Sequence, residues 1–505
     1  PYTLPASVHE RLHVSGYDAE IGYVDTLLGE FWKTLDRDGL FNRALVVFIS
    51  DHGESLGDHG EKTHGYFIYQ STLRIPLIIH WPQGASVASS RIGEPAGLID
   101  VAPTIVQYLG LPEPPQFQGR SLLGALRQNA ARPAQEVYSE SLYAHNHFGC
   151  SALMCLRVGR YKYIEAPERE LYDLDRDPGE LHNLYLSQRA MALTLHDRLL
   201  SLRSRYASKQ PFRKNALSPE AMALLRSLGY MTVSQPHGAS MESGSDPKDR
   251  IGEYEEYGQA VERASSGNLS ESEALLRKLL AHDSGLVDVR NSLGIDEQKL
   301  GQQADAIQDF RQILKSDPSN ATIHFNLAVS LFEMHRFTEA AQESKAALAI
   351  TPYYARAQEL LGTIFLQEHD YGKARSEFNH LLTIAPDDYM AHFNLGVLAA
   401  MERNWGEGAR QLKAALQTEP NSPEALNALG SIYLQQGNLE QGEAEFAEAT
   451  KLAPNFAWAH YNLGLIFERE KRIKEAAREF QRALAADPKL EPARKALDHL
   501  QAGVH

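Results

Sequence analysis

The chain has 505 residues, room for roughly three domains of average size, and its hydrophobic share of 43% is ordinary for globular protein. A formal net charge of −15 with no basic run argues against a nucleic-acid backbone as partner, and nothing resembles a transmembrane span of about 20 apolar residues. The two cysteines, Cys150 and Cys155, make neither a disulfide framework nor a zinc pattern, and buried or half-buried thiols are expected. The first residue is Pro1, so any signal peptide or anchor is expected upstream and the compartment stays open.

Residues 17–38 read as an amphipathic helix, with Tyr17, Ile21, Val24, Leu28, Phe31 and Leu35 along one face. The continuous apolar run at 44–50 (ALVVFIS) predicts a strand buried on both faces of a parallel sheet, and Arg74–His80 reads the same way. Residues 97–110 look helical, so the pattern to about residue 135 is α/β. Short strand candidates follow at 136–143, 151–158, 160–165 and 170–174, with turns at Gly159-Arg160 and Asp177-Pro178-Gly179, which predicts a small antiparallel sheet. Residues 187–231 return to helix, ending at Leu228-Gly229-Tyr230. The Ser-, Gly- and Pro-rich stretch within 233–250 reads as a linker that closes a first domain at 1–232.

Beyond it a period takes over. Pro318, Pro352, Pro386, Pro420, Pro454 and Pro488 stand 34 residues apart. Leu293, Leu327, Leu361, Leu395, Leu429 and Leu463 share one slot, followed by Gly294, Ala328, Gly362, Gly396, Gly430 and Gly464. Ala306, Ala340, Ala374 and Ala476 share a third slot, where Gly408 and Gly442 stand in two repeats, and Phe310, Phe378, Phe446 and Phe480 share a fourth. The small residue lets the first helix of a pair approach the second, the aromatic fills the seam, and the proline separates one pair from the next. Stacking then makes the core that no single pair has. This stretch resembles the tetratricopeptide family over 251–488, with a degenerate first repeat at 252–285 and six of 34 residues after it. Residues 489–505 read as a polar capping helix and tail. The resemblance implies a protein or peptide partner in the groove. Asn326, Asn394 and Asn462, each just before the array's Leu, are read either as capping or solvent-facing residues or as a peptide-gripping asparagine ladder.

The chemistry-bearing stretch is Ser50-Asp51-His52-Gly53-Glu54, at the end of the first apolar run. Ligands bind at the carboxyl ends of strands in open α/β sheets, and an adjacent carboxylate and imidazole can both face a metal. Gly53 is expected to permit a sharp exit. His59, Lys62 and His64 follow, then Tyr69 to Pro76 (YQSTLRIP) leads into the next strand. The run from Tyr17 to Pro82 resembles the C-terminal half of the sulfatase domain of the alkaline-phosphatase superfamily. Asp100-Val101-Ala102-Pro103-Thr104, Gly119-Arg120-Ser121-Leu122, Tyr161-Lys162-Tyr163-Ile164 and Glu170-Leu171-Tyr172-Asp173-Leu174 extend the likeness to about residue 185.

The expected fold is therefore a partial α/β sulfatase-like domain with a small antiparallel subdomain, followed by an all-α tetratricopeptide superhelical solenoid. The resemblance implies hydrolysis of a sulfate ester, or a related phosphate ester, assisted by a divalent metal, most often calcium. It carries the metal-ligand role to Asp51 and His52. The basic residue that contacts the ester and protonates its leaving oxygen falls to His64, with Lys62 second, because Gly65 stands where the family usually has Lys. His59 reads as an ordinary loop residue. The family's nucleophile motif, Cys/Ser-x-Pro-x-Arg, does not occur, nor does its upstream Asp pair, and Pro1-Tyr2-Thr3-Leu4-Pro5 resembles a mid-domain segment. The expectation is a fragment of a metal-dependent hydrolase, inactive by itself. The alternative is a non-enzymatic scaffold carrying an inactive sulfatase remnant.

Overall fold

The computed structural model describes residues 16–85, 87, 91–126, 135–207, 241 and 243–502. The opening Pro1–Pro5 segment, the helix end at Leu228-Gly229-Tyr230 and residues 233–240 and 242 of the stretch read as a linker lie outside the described residues. The chain divides into two compact units. The first comprises Pro1–Lys214 with Gln235–Gly258, the second Asn215–Ser234 with Gln259–His505.

In the first unit, the helix Tyr17–Arg37 forms where its period predicts, with Asp18 and Glu20 in the first turn and Arg37 in the last, which complements the helix dipole. Its apolar face stays open: among its residues only Ala19 is buried, while Ile21, Val24 and Phe31 are each about half exposed. Strand β1 (Val46–Ile49) pairs with β2 (Leu77–His80). The pairing is antiparallel, Val46 opposite His80 and Ile49 opposite Leu77, and β1 is only half-buried. The parallel, doubly buried strand expected from the apolar run is thus not what forms. A run apolar at every position does not specify which way its neighbour runs, and among the described residues β2 is the one strand beside β1.

The helical reading of 97–110 holds as a short turn, Leu98–Asp100, followed by Val101–Tyr108. Buried Asp100 ties this region together by accepting from Gly97 N at 2.8 Å and Arg120 N at 2.8 Å. The expected antiparallel sheet is present: β3 (Glu136–Ser141), β4 (Leu153–Val158), β5 (Tyr161–Glu165) and β6 (Glu170–Asp173) run in sequence order. Met154, Leu156, Tyr163 and Leu171 pack on Ala192, Leu195 and Leu199 of the helix Arg189–Tyr206, which makes a core of this unit. Cys150 and Cys155 are free, buried thiols, as expected. On β5, between β4 and β6, fully buried Lys162 donates through Nζ to Glu180 Oε1 and Ile68 O, both at 2.6 Å.

The described end of the linker stretch packs on this same unit. Ser245 bridges to Cys150, Asp246 caps the turn Pro247–Arg250 by accepting from Lys248 N, and Pro247 O accepts from the Tyr66 hydroxyl at 3.0 Å. Arg250 reaches Phe148 O at 2.8 Å.

The second unit is a run of antiparallel helix pairs. The first full pair is Val287–Lys299 with Gln303–Ser316, and the sixth is Ala457–Arg469 with Ile473–Ala486. Helix Glu491–Ala502 closes the array, burying Ala493 and Leu500. A Cβ on Gly362 would come within 2.8 Å of the Phe378 ring, and one on Gly464 within 2.5 Å of Phe480, so the small slot is set by ring contact. By the same offset Ala328 stands opposite Ser344, both fully buried: where the ring is missing, a methyl fits. The turn inside each of the six pairs also carries one left-handed residue at the 34-residue period: Gly301, His335, His369, Arg403, Gly437 and Lys471, with φ of 57–79°. Gly267 (φ 83°) continues that register into the degenerate first repeat.

Alternate repeats carry a second device. His324, His392 and His460 each place Nδ1 against a side-chain oxygen of the following helix, Glu343 at 2.6 Å, Gln411 at 2.6 Å and Glu479 at 2.7 Å. Their Nε2 atoms meet the carbonyl oxygens of Pro318, Pro386 and Pro454 at 2.9–3.0 Å.

Candidate active site

Residues 50–54 leave β1 at its carboxyl end and turn back under the loop 61–66. Gly53 sits where a Cβ would lie 2.3 Å from Ser71 O, and its N–H donates to Thr72 O at 2.7 Å. Close approach of another backbone therefore requires the glycine, rather than an unusual φ.

This turn brings four side chains together. Asp51 projects into solvent, its side chain 79% exposed. The little burial it has opposes its charge, but the N–H groups of His52 and Asp51, the His52 ring and the Ser50 hydroxyl outweigh that, so its carboxyl lies below the usual range and is ionised. The His52 Nδ1 lies 2.9 Å from Gly53 O. A carbonyl only accepts, so Nδ1 carries a proton, and Nε2 lies 3.6 Å from Asp51 Oδ2. The His64 ring stacks on His52 with centroids 3.9 Å apart, and its Nδ1 faces Glu54 Oε2 at 3.1 Å. The other oxygen, Glu54 Oε1, is buried without a partner in the structure.

The sequence reading missed Glu54 as a member of the site, although it follows two residues after His52. Its role depends on a contact ten residues along the chain, which no local pattern signals. Lys62, the second choice for the basic residue, turns instead to Glu255, with Nζ to Oε2 at 2.6 Å. His59 stacks on Tyr69 at 3.6 Å and meets Gly179 O at 3.1 Å, a structural role that agrees with its reading as a loop residue. Beneath the loop, fully buried Glu61 accepts from Tyr66 N at 2.8 Å and Phe67 N at 3.2 Å. Burial drives its pKa up to about 7 against the pull of those two donors, with Glu54 and Glu255 adding repulsion.

Asp51 and His52 fit a divalent cation as a partial donor set: an ionised carboxylate and an imidazole whose ring is oriented by its Nδ1 bond to the Gly53 carbonyl, leaving Nε2 as the atom that would face the ion. No group of three His, Cys, Asp or Glu side chains with metal-binding geometry occurs among the described residues.

In the array, the asparagine amides donate within the chain. Asn326 Nδ2 reaches Asn291 Oδ1 at 3.1 Å, Asn462 Nδ2 reaches Asn427 Oδ1 at 2.9 Å, and Asn394 Nδ2 reaches Met390 O at 2.9 Å. Among the described residues no helix is long and apolar enough to cross a membrane.

Residues 5–111 match the sulfatase family model, and the tetratricopeptide repeat model matches at 291–355, 359–425, 402–455 and 427–491. The chain thus joins a sulfatase-like domain to a tetratricopeptide scaffold. Among curated proteins it is similar to arylsulfatase K of Mus musculus, with 28% identity over 37% of this chain and 35% of that one. The N-acetylglucosamine-6-O-sulfatase of Bacteroides thetaiotaomicron is 28% identical over 34% of this chain and 32% of its own. The choline-sulfatase of Rhizobium meliloti is 32% identical over 33% and 32%. The chain spans about a third of the length of these relatives. Among solved structures, a tetratricopeptide protein from Parabacteroides merdae overlaps 49% of this chain and 98% of its own at 18% identity and a TM-score of 0.40. YrrB, described as a TPR protein with an unusual peptide-binding site, overlaps 37% and 96% at 21% identity and a TM-score of 0.33.

Proposed function

We propose that the first unit is the part of a sulfatase-type ester hydrolase that holds the cation and the leaving-group acid, and that the repeats bind a protein or peptide partner. The observation that carries this reading is the packing of His64, oriented by Glu54, directly onto the Asp51–His52 pair. Asp51 and His52 Nε2 would hold a divalent cation, which when bound supplies positive charge against the negative charge that develops on the ester. The resemblance favours calcium, and an imidazole donor also suits softer divalent metals.

With Nδ1–H on Glu54, His64 presents Nε2 to the substrate. Protonated there, it gives its proton to the leaving oxygen, while Glu54 accepts from Nδ1 and holds the ring's orientation. Sulfate and phosphate esters both carry an oxygen that such an acid serves. The asparagines of the array, two of them paired with asparagines of the preceding repeat, are proposed as its peptide-facing row.

Attack on the ester needs a nucleophile, and the family's motif for it is not in this sequence. Residues 1–505 by themselves are therefore expected to leave an aryl sulfate at background. Turnover by these residues, lost in His64→Ala, would reveal another nucleophile and overturn this mechanism. The missing motif equally favours the second reading, a scaffold with an inactive remnant. Cation binding that depends on Asp51 separates the two.

A further inference from the structure

The loop that carries His64 has few anchors of its own. Glu61 grips it from inside, Ser55 N donates to Thr63 O at 2.8 Å, and the Ser141 hydroxyl donates to Gly65 O at 2.5 Å. A further grip comes from far along the chain. Glu255 receives the Lys62 ammonium at 2.6 Å and the Lys62 N–H at 3.1 Å. The Tyr254 hydroxyl lies 2.6 Å from Thr63 Oγ1 and donates to His64 O at 3.4 Å. A phenol has one proton, so Thr63 donates to Tyr254, and Tyr254 passes its own proton to the His64 carbonyl. The Tyr254 ring also stacks on fully buried Tyr66, centroids 4.7 Å apart. Lys62, Thr63, His64 and Tyr66 are thus all held by two neighbouring residues of the helix Ile251–Ser265.

We propose that Tyr254 and Glu255 are positioning residues of the candidate centre: acting through Thr63 and Lys62, they fix the loop that presents His64. Nothing in the matched sulfatase segment, which ends at residue 111, contains them. The inference rests on the reading of His64 as the leaving-group acid. Its physical content is simple. A general acid displaced by about 1 Å loses much of its effect, and an exposed loop with few contacts of its own does not hold that tolerance unaided.

The test is histidine-ring NMR on the 505-residue chain, with ring-labelled histidine and His64 assigned by the signal lost in His64→Gln. Tyr254→Phe keeps the ring stack and removes the hydroxyl; Glu255→Gln keeps the shape and removes the charge. The expected result is a His64 signal displaced by more than its linewidth in both variants, with His80, which stacks on Phe41, unmoved. A His64 signal unmoved in both variants overturns the positioning role. Calcium and zinc, each added alone to the unaltered protein, are expected to shift His52. A stationary His52 contradicts the hydrolase reading without touching the positioning result, so the two failures are distinguishable.

Discussion

At the scale of residues, the candidate centre depends on one missing side chain as much as on four present ones. Gly53 was legible as necessary, but the reason is the Ser71 carbonyl 2.3 Å from where a Cβ would lie. That backbone cannot yield as a flexible side chain would. Gly53→Ala is therefore expected to destabilise the first unit by about 1–3 kcal/mol, the usual cost of overpacking, and to turn Asp51 and His52 away from each other. A thermal melt unchanged from that of the unaltered protein would contradict this. Asp51 and His52 could be found in the sequence because they are adjacent and close a strand. Glu54 could not, because its meaning is the ring of His64 in another loop. Lys62 is a candidate through the family's basic position, and that likeness does not show that Glu255 holds its ammonium.

At the scale of elements, the repeats were legible because their constraint is local and recurs. A glycine faces a ring in four of the six pairs, a small residue holds that slot in all six, and a proline closes each pair. The run at 44–50 was legible as a strand but not as to its partner's direction, since apolarity at every position carries no register. The histidine clamps give the array a pH dependence. The rings of His324 and His460 each face a carboxylate and a carbonyl, both acceptors, so only the imidazolium satisfies both. The carboxylates of Glu343 and Glu479 raise the two pKa values, burial opposes them, and the proline carbonyls add to the rise. A raised folded-state pKa means stability that is complete below the ordinary histidine value of about 6.5 and is lost as pH climbs through the raised one. Each clamp is expected to contribute about 1 kcal/mol, one hydrogen bond. Buried Glu297, pushed up to about 7, acts with the same sign over a lower window. The histidine share is isolated by comparison: the double variant His324→Gln, His460→Gln should flatten the fall in melting temperature above neutral pH. An unchanged slope would contradict the clamps.

At the scale of the whole molecule, composition places a boundary at 233–250, whereas the first unit keeps Gln235–Gly258. Ser, Gly and Pro make that stretch read as a tether, yet Asp246 and Pro247 within it, and Tyr254 just beyond, act through long-range hydrogen bonds that composition does not register. Residues 259–505 expressed alone are expected to be soluble, helical and cooperatively folded, because each pair packs on its neighbours. Residues 1–232 lose the 244–258 segment and also expose Ile21, Val24 and Phe31, so aggregation is expected, with residues 1–258 the more tractable piece. Light scattering decides this, and a monomeric 1–232 with a sharp melt would contradict it. The most direct measurement of the central claim is the divalent-metal content of the purified protein, after equilibration with calcium and with zinc, beside that of Asp51→Ala. One bound cation per chain in the unaltered protein and none in Asp51→Ala is the expected result. Equal occupancy in the two, or none in either, would contradict the cation site and leave the non-catalytic scaffold as the reading that stands.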